Sequence, residues 1–302
     1  MSCGRSRRLN KPEEASWPIL RLIEWTTSYL ADKGAESPRL DAEVLLASVR
    51  QCSRIELYTA FNEVADEATR GAYKSLVQRR AAGEPVAYLV GFREFYSRDF
   101  KVTPAVLIPR PETEFVVIAA LDFVSDRGLS GSLRMADIGT GSGNVGITLA
   151  KENPSWNVVA IDIQPDALEI ARQNVAHHAV DEQMELRCGP YYAQESETVL
   201  FDIVVSNPPY VTSNEYDDLP ATVRDYEPKI ALVGGDRGTE VIEQLIEEST
   251  PRVRPEGALV VEISPMLEAD VTALIEQHAL WQLHKVYKDH AGHSRVIVAI
   301  RA

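Results

Sequence analysis

The sequence predicts an α/β protein, a doubly wound parallel sheet of seven strands preceded by a small helical bundle. Three observations carry that expectation. Beyond Gly128, short β-branched runs alternate with segments of helical period, the pattern of βαβ units. One run opens into the glycine-rich turn Asp137-Ile-Gly-Thr-Gly-Ser-Gly143-Asn144. Another, Val199 to Val205, is apolar enough for a buried parallel strand and ends at Ser206-Asn207-Pro208-Pro209-Tyr210.

Composition sets the bounds. The 302 residues, 45% hydrophobic and 25% charged, suit a soluble globular protein with a real core. At roughly 100–200 residues per domain, they suggest two domains. No apolar run approaches the ~18–20 residues of a membrane span. Met1 to Lys11 carries Arg5, Arg7, Arg8 and Lys11 with no apolar segment behind it, so it reads as a disordered leader, with organelle targeting as the alternative, and not as a secretory signal. Cys3, Cys52 and Cys188 are far apart and lack ligand spacing. They point to a reducing, cytoplasmic setting and to neither a disulfide framework nor a zinc site. Charge is uneven: residues 1–90 hold 13 Lys+Arg against 12 Asp+Glu, while the remainder holds 18 against 33 within a total of −14. Duplex DNA binding rests on neutralising phosphates, so an acidic second half argues against a nucleic-acid partner.

Residues 1–85 read as helices. Ser16 before Trp17-Pro18 is a start signal, Ile19, Leu22, Ile23, Thr26 and Leu30 form one stripe, and Gly34 is a stop. Ser37-Pro38 repeats the start, followed by Ala42, Leu45, Leu46 and Val49. A short helix from Ile55 to Phe61 comes next, then one capped by Asp66 that runs through Tyr73, Leu76 and Val77 to Arg80. This bundle holds no cluster of catalytic residue types, so its role is either structural or the recognition of a partner. Residues 86–110 form an expected β-hairpin linker, drawn from the alternating runs Gly83 to Ser97 and Phe100 to Pro104. In Ile108-Pro-Arg-Pro-Glu-Thr-Glu114 the prolines hold the backbone extended before a helix from Phe115 to Val124. Arg110, Glu112 and Glu114 there belong either to a solvated linker or to the entrance of a site.

Residues 111–302 hold the sheet. Strands are expected at Arg134–Asp137, Asn157–Asp162, Glu185–Arg187, Phe201–Ser206, Ala258–Ile263, Gln282–Lys288 and Arg295–Ile300. Helices are expected near Gly143–Lys151, Pro165–His177, Glu240–Thr250 and Leu267–His278.

Ligands of open α/β sheets bind beyond the carboxyl ends of the strands, and both motifs fall there. Glycines after Asp137 let the chain turn sharply and bring the amides of the next helix start to a ligand. Asp162 ends the second strand, where a carboxylate can accept both hydrogens of a ribose diol. Gly141-Ser-Gly143-Asn-Val-Gly146 also fits the dinucleotide pattern GxGxxG, with Asp162 at matching spacing. Two features tip the choice, Asp137 just before the first glycine and Asn207-Pro208-Pro209-Tyr210 on the fourth strand: an acid before the glycines repels a pyrophosphate and suits an ammonium group, which S-adenosylmethionine has and NAD lacks. After the fourth strand, two prolines end both sheet and helix pairing. That stiff turn offers the Asn207 carboxamide oxygen and the Pro208 carbonyl as acceptors for a substrate –NH2, with Tyr210 as a flat cover. Asp225-Tyr-Glu-Pro228 and Gly234-Gly-Asp-Arg-Gly238 form a long loop that is either a solvated excursion or a substrate cover. His177 and His178 are expected at the surface, and His290 and His293 lack the carboxylates of a metal site.

Asp137-Ile-Gly-Thr-Gly-Ser-Gly143, Asp162 and Asn207-Pro-Pro-Tyr210 together resemble a class I S-adenosylmethionine-dependent methyltransferase. With Ser37-Pro-Arg-Leu-Asp-Ala-Glu43, Gly91-Phe-Arg-Glu-Phe95 and Ile108-Pro-Arg-Pro-Glu-Thr-Glu114, the chain is similar from about Ser16 onward to the peptide chain release factor glutamine methyltransferase family (PrmC/HemK). The resemblance implies a Rossmann-like seven-stranded sheet and S-adenosyl-L-methionine as cofactor. It implies methylation of the side-chain nitrogen of the glutamine in the Gly-Gly-Gln motif of class I release factors. It further implies that Asp137 and Gly139, Thr140, Gly141, Ser142 and Gly143 form the cofactor turn, that Asp162 holds the ribose, and that Asn207 sits between cofactor and substrate. Asn207 Oδ1 and the Pro208 carbonyl would each accept one N–H of the glutamine amide, Pro209 would complete the turn, and Tyr210 would pack on the amide plane. At Gly189-Pro190-Tyr191 the family pattern has an acidic residue followed by an aromatic, so adenine recognition would rest on backbone groups around Pro190 or on Tyr191. Glu262-Ile-Ser264 departs at its third place, where glycine is common. The alternative is an adenine-N6 nucleic-acid methyltransferase, which carries the same Asn-Pro-Pro-Tyr motif.

Overall fold

The computed structural model describes residues 16–192 and 200–302. The leader Met1 to Lys11, with Cys3, and Val199 at the head of the fourth expected strand lie outside the described residues. Two compact units are present, one ending at Val90 and one spanning Gly91–Ala302.

Helices α1 (Ile19–Asp32), α2 (Pro38–Arg50), α3 (Arg54–Thr59), α4 (Glu67–Ala81) and α5 (Val86–Val90) make the first unit. α1 buries Ile19, Leu22, Ile23, Thr26 and Leu30, the stripe read from the sequence, although Pro18 and not Ser16 caps it. α2 begins at Pro38 directly after Ser37. Asp66 Oδ1 accepts the Thr69 amide at 2.7 Å and caps α4. α5 corrects the strand expected to begin at Gly83. The amides of Tyr88 and Leu89 bond the Pro85 carbonyl at 3.1 and 3.2 Å, and Leu89 enters the bundle core. A proline at the head of the segment presets helical φ, which outweighs the β-branched composition behind it.

The second unit opens with the antiparallel hairpin β1 (Phe92–Phe95) and β2 (Arg98–Lys101), then a 3-10 turn Pro111–Thr113 and α6 (Glu114–Asp126). There follow β3 (Arg134–Ile138), α7 (Asn144–Glu152), β4 (Asn157–Asp162), α8 (Pro165–His177), β5 (Met184–Cys188) and β6 (Phe201–Ser206). Next come β7 (Val211–Thr212), α9 (Ala221–Arg224), β8 (Val233–Gly235), α10 (Glu240–Ser249) and β9 (Val253–Glu262). α11 (Glu268–Gln277), β10 (Trp281–Lys288) and β11 (Ser294–Arg301) complete the unit. The main sheet has seven strands in the order β10-β11-β9-β6-β3-β4-β5, with β11 antiparallel to its neighbours. All seven were legible as strands; the short parallel pair β7–β8 was not.

The pleat divides the core between two faces. Met135, Val158, Ile203 and Val260 pack with Val117 and Phe123 of α6 and Ile147 of α7. Ala136, Val159, Val204 and Leu259 pack with Leu245 of α10 and Val271 of α11. From β3 the order runs through β4 and β5 on one side and through β6 and β9 on the other. The crevice for a ligand therefore lies at the carboxyl ends of β3 and β6, where strand order reverses. Ser206 Oγ donates to the Ile138 carbonyl at 2.7 Å and ties those two ends together. One surface expectation is corrected nearby. His178 is half-buried, its Nε2 lies 3.0 Å from the Asp99 carbonyl, and its ring rests on Phe100 because the end of α8 packs against β2.

Candidate active site

The glycine-rich turn is held by its own hydrogen bonds. The amides of Gly139 and Thr140 donate to the Ile161 carbonyl at 2.8 and 3.0 Å, and Gly143 N–H donates to the Thr140 carbonyl at 2.8 Å. Asp137 is 2% exposed; its Oδ2 accepts from Thr140 Oγ1 at 2.6 Å and from the Gly146 amide at 3.0 Å. Burial pushes its carboxyl up to about 6, and the Thr140 hydroxyl and Gly146 amide limit that rise. Asp162 closes β4 with Oδ2 on the Gly141 amide at 2.8 Å and Oδ1 on the Gln164 amide at 2.9 Å. Burial raises this carboxyl as well, against those backbone donors. From α8, buried Asn174 donates to the Ser142 carbonyl at 2.8 Å and brackets Lys101 of the hairpin, a support that the sequence did not reveal.

Above this turn lies a cavity of about 300 Å³, lined by Asp137, Gly139 to Ser142, Asp162, Pro190, Tyr191, Asn207 and Pro209. Gly139 and Gly141 have φ of 72° and 55°, and a Cβ on either would stand in open space, so the backbone is bare toward the cavity. Apolar walls from Ile138, Val145 and Ile163 complete it. A nucleoside with a polar tail fits these residues: glycine backbone with no side chain in the way, a carboxylate held in place at a strand end, and apolar walls.

Asn207 sits at the end of β6 on the rim of the cavity, and its Nδ2 donates to Thr113 Oγ1 at 3.1 Å. That bond commits the –NH2 and leaves Oδ1 as an acceptor. Pro209 lines the same cavity, whereas Pro208 and the Tyr210 ring are not in its lining. Tyr210 packs against the apolar face shared with α10 and α11, and its hydroxyl donates to Glu262 Oε1 at 3.2 Å. Burial, reinforced by the Glu262 charge, raises this phenol well above its ordinary value. The loop after the motif returns to it. Val211 and Thr212 pair with Val233 and Gly235, and a Cβ at Gly234 would press on the Pro209 carbonyl, 2.9 Å from its carbon and from Tyr210 Cα. Inside that loop Glu227 is buried, accepting the Ile108 amide at 3.0 Å and pairing with Arg110. Arg110 is thus a structural tether, and Glu114 Oε1 accepts the Tyr96 amide at 2.9 Å. Thr113, Glu227 and Glu262 join Asn174 as residues whose supporting role sequence reasoning missed.

Glu262 is 2% exposed at the end of β9, and burial pushes its carboxyl up to about 7. Its folded value lies above the ordinary 4.5, so the folded state holds this proton more tightly. Its contribution to stability is therefore greatest below pH 4.5 and is lost as pH rises through about 7. Between those limits the parent should lose on the order of 3 kcal/mol more stability than Glu262→Gln. Urea titrations at pH 4.5 and 8 measure that difference; parallel pH slopes for the two proteins would contradict it.

Fold and site together place the chain among the enzymes that take a methyl group from S-adenosylmethionine. Residues 21–91 match the family model described as the PrmC N-terminal domain, and residues 123–222 the one described as the methyltransferase small domain. The chain is 45% identical over 286 residues to the release factor glutamine methyltransferase of Rhodopirellula baltica, covering 94% of this chain and 96% of that one. It is 39% identical to the protein of the same name from Nitratidesulfovibrio vulgaris, over 88% and 89% of the two chains. The chain belongs to the release factor glutamine methyltransferase family. Among solved structures, the hMettl16 catalytic domain in complex with MAT2A 3′UTR hairpin 6 is similar in fold, with a TM-score of 0.54 and 15% identity over 75% of this chain and 81% of that one.

Proposed function

We propose that this chain transfers a methyl group from S-adenosylmethionine to the side-chain amide nitrogen of the glutamine in the Gly-Gly-Gln motif of class I release factors, acting in translation termination in the cytoplasm. The observation that supports the acceptor most directly is the commitment of the Asn207 –NH2 to Thr113, which leaves Oδ1 as the acceptor of a side chain that lines the cavity. An amide nitrogen is a poor nucleophile because its lone pair is delocalised into the carbonyl. What the protein must supply is position. In this reading Asn207 Oδ1 and the Pro208 carbonyl take the two N–H groups of the glutamine, and Pro209 and Tyr210 fix the turn that holds both acceptors. Bound S-adenosylmethionine supplies an electrophilic methyl group. Asp137 and the turn from Gly139 through Thr140, Gly141 and Ser142 to Gly143 would hold it, with Asp162 on the ribose and Pro190 and Tyr191 beside the adenine. Alignment of reacting atoms can contribute ~7–11 kcal/mol, enough to carry most of such a reaction without a general base. The helical unit is proposed to select the protein substrate.

Two experiments test this reading. Methyl transfer from labelled S-adenosylmethionine should reach a purified class I release factor and spare its Gly-Gly-Asn variant and a DNA duplex; label on the duplex would replace this reading with the adenine-N6 one. Asp162→Ala should weaken S-adenosylmethionine binding about 10–100-fold by calorimetry, since it removes charged hydrogen bonds of ~1.5–3 kcal/mol. Unchanged affinity would remove Asp162 from the cofactor site.

A further inference from the structure

We propose that Glu262 is a positioning residue for methyl transfer, a buried carboxylate that fixes the proton arrangement at both ends of the Asn207-Pro208-Pro209-Tyr210 turn. The inference rests on the functional reading above and goes beyond it in naming what orients the acceptors. A carboxamide is nearly symmetric in shape, so packing alone does not decide whether Asn207 shows its oxygen or its –NH2 to the cavity. The bond to Thr113 Oγ1 at 3.1 Å decides it only while the Thr113 hydroxyl proton is spent elsewhere. Glu262, whose Oε2 is otherwise unpartnered, is the acceptor available to it. Thr113 is 2% exposed and its hydroxyl stands beside the Glu262 carboxylate, whose charge it stabilises. At the other end of the turn, Tyr210 donates to Glu262 Oε1 at 3.2 Å. Glu262 thus bonds Tyr210 directly and stands beside Thr113, the partner of Asn207, while it is absent from the cavity lining. Its Oε2 is buried without a hydrogen-bond partner, so the carboxylate is kept at a site that only partly satisfies it. A buried acceptor left in that state calls for an explanation beyond the packing around it.

The ionised form is the one that works. An ionised carboxylate only accepts, so both neighbouring hydroxyls must donate to it and Thr113 keeps a lone pair for Asn207. A protonated Glu262 donates instead, and the Thr113 hydroxyl is then free to turn its proton onto Asn207 and reverse the carboxamide. The groups that set the balance are Tyr210 after β6, Thr113 and Glu112 of the 3-10 turn and Arg295 of β11: Glu112 disfavours the charge and Arg295 favours it. Arg110 adds positive charge on the Tyr210 side.

The experiment compares parent, Glu262→Gln and Glu262→Asp in full-length protein, reading kcat and KM for release factor from pH 5.5 to 9. Thermal unfolding and calorimetric S-adenosylmethionine affinity are followed alongside. In the parent, kcat should fall as pH drops below about 7. Glu262→Gln should keep its fold, its cofactor affinity and its KM within about threefold while kcat drops roughly 10–100-fold and loses the acid limb. Glu262→Asp should recover part of kcat and restore the limb. A Gln variant with parent-like kcat and the same acid limb overturns the proposal. So does a variant whose activity falls only in step with cofactor affinity or melting temperature, because the carboxylate would then hold the fold or the cofactor pocket. If Glu262→Gln does not fold, Thr113→Val cuts the same link and must lower kcat with cofactor affinity retained; unchanged kcat there is equally fatal. A parent that methylates no release factor overturns the functional reading and this role with it, whereas an active parent matched by Glu262→Gln overturns this role alone.

Discussion

Asn207→Ala should give a folded protein that has lost about 10²–10³-fold in methyl transfer, by analogy with the removal of one preorganised hydrogen-bonding group from an active site. Asn207 is only partly buried at the end of β6 and contributes no side chain to either apolar face, so little stability is at risk. What disappears is one of the two acceptors proposed to hold the substrate nitrogen. The second, a Pro208 main-chain carbonyl, survives the substitution, which is why some turnover should remain. The loss should fall on kcat more than on release-factor KM, because the interaction matters most when the nitrogen must point along the line of transfer. Single-turnover transfer with saturating S-adenosylmethionine is the measurement. A well-folded Asn207→Ala protein with near-parent turnover would remove Asn207 from the mechanism.

Gly234→Ala should be nearly as damaging from a residue that makes no polar contact with anything in the site. Its φ is ordinary, so alanine is not excluded by backbone conformation. The obstacle is steric and lies entirely in main chain: the new methyl would press on the Pro209 carbonyl, 2.9 Å from its carbon and from Tyr210 Cα. Neither neighbour is the end of a flexible side chain, so the turn itself must move. A shift of ~1 Å at reacting groups can cost about 10²-fold, and kcat should fall on that scale while the circular-dichroism spectrum stays that of the parent. Gly139→Ala gives the contrast. A Cβ there meets nothing but is strained by its φ of 72°, so its damage should appear in cofactor affinity. Equal kcat values for parent and Gly234→Ala would show that the turn has slack that its packing does not suggest.

The parts of the molecule that were readable are those whose cause is local. Seven strands follow from short β-branched runs, and the turn after Asp137 follows from glycines that adopt φ above 50°. The missed parts are relations between distant residues. Thr113 and Asn207 are 94 positions apart, Ile108 and Glu227 are 119 apart, and no composition or period links them. Glu262 ends an apolar strand, where a carboxylate reads as solvated. Its burial arises only because β11 and the Tyr210 ring close over that end. Arg110 read as either a linker charge or part of a site entrance for the same reason, since its partner Glu227 arrives from a loop that sequence could describe only as long. Local rules also lost once, at α5, where one proline outweighed the residues behind it.

The excursion between β7 and β8 is fastened at its two ends by a main-chain ladder and in its middle by Glu227. None of those fastenings depends on the identity of the residues from Ser213 to Arg224. Closing a loop of different length costs little, roughly 0.6 kcal/mol for each doubling. That stretch is therefore a replaceable module: a sequence grafted between Thr212 and Asp225 would leave both the main-chain ladder and the Glu227 tether in place.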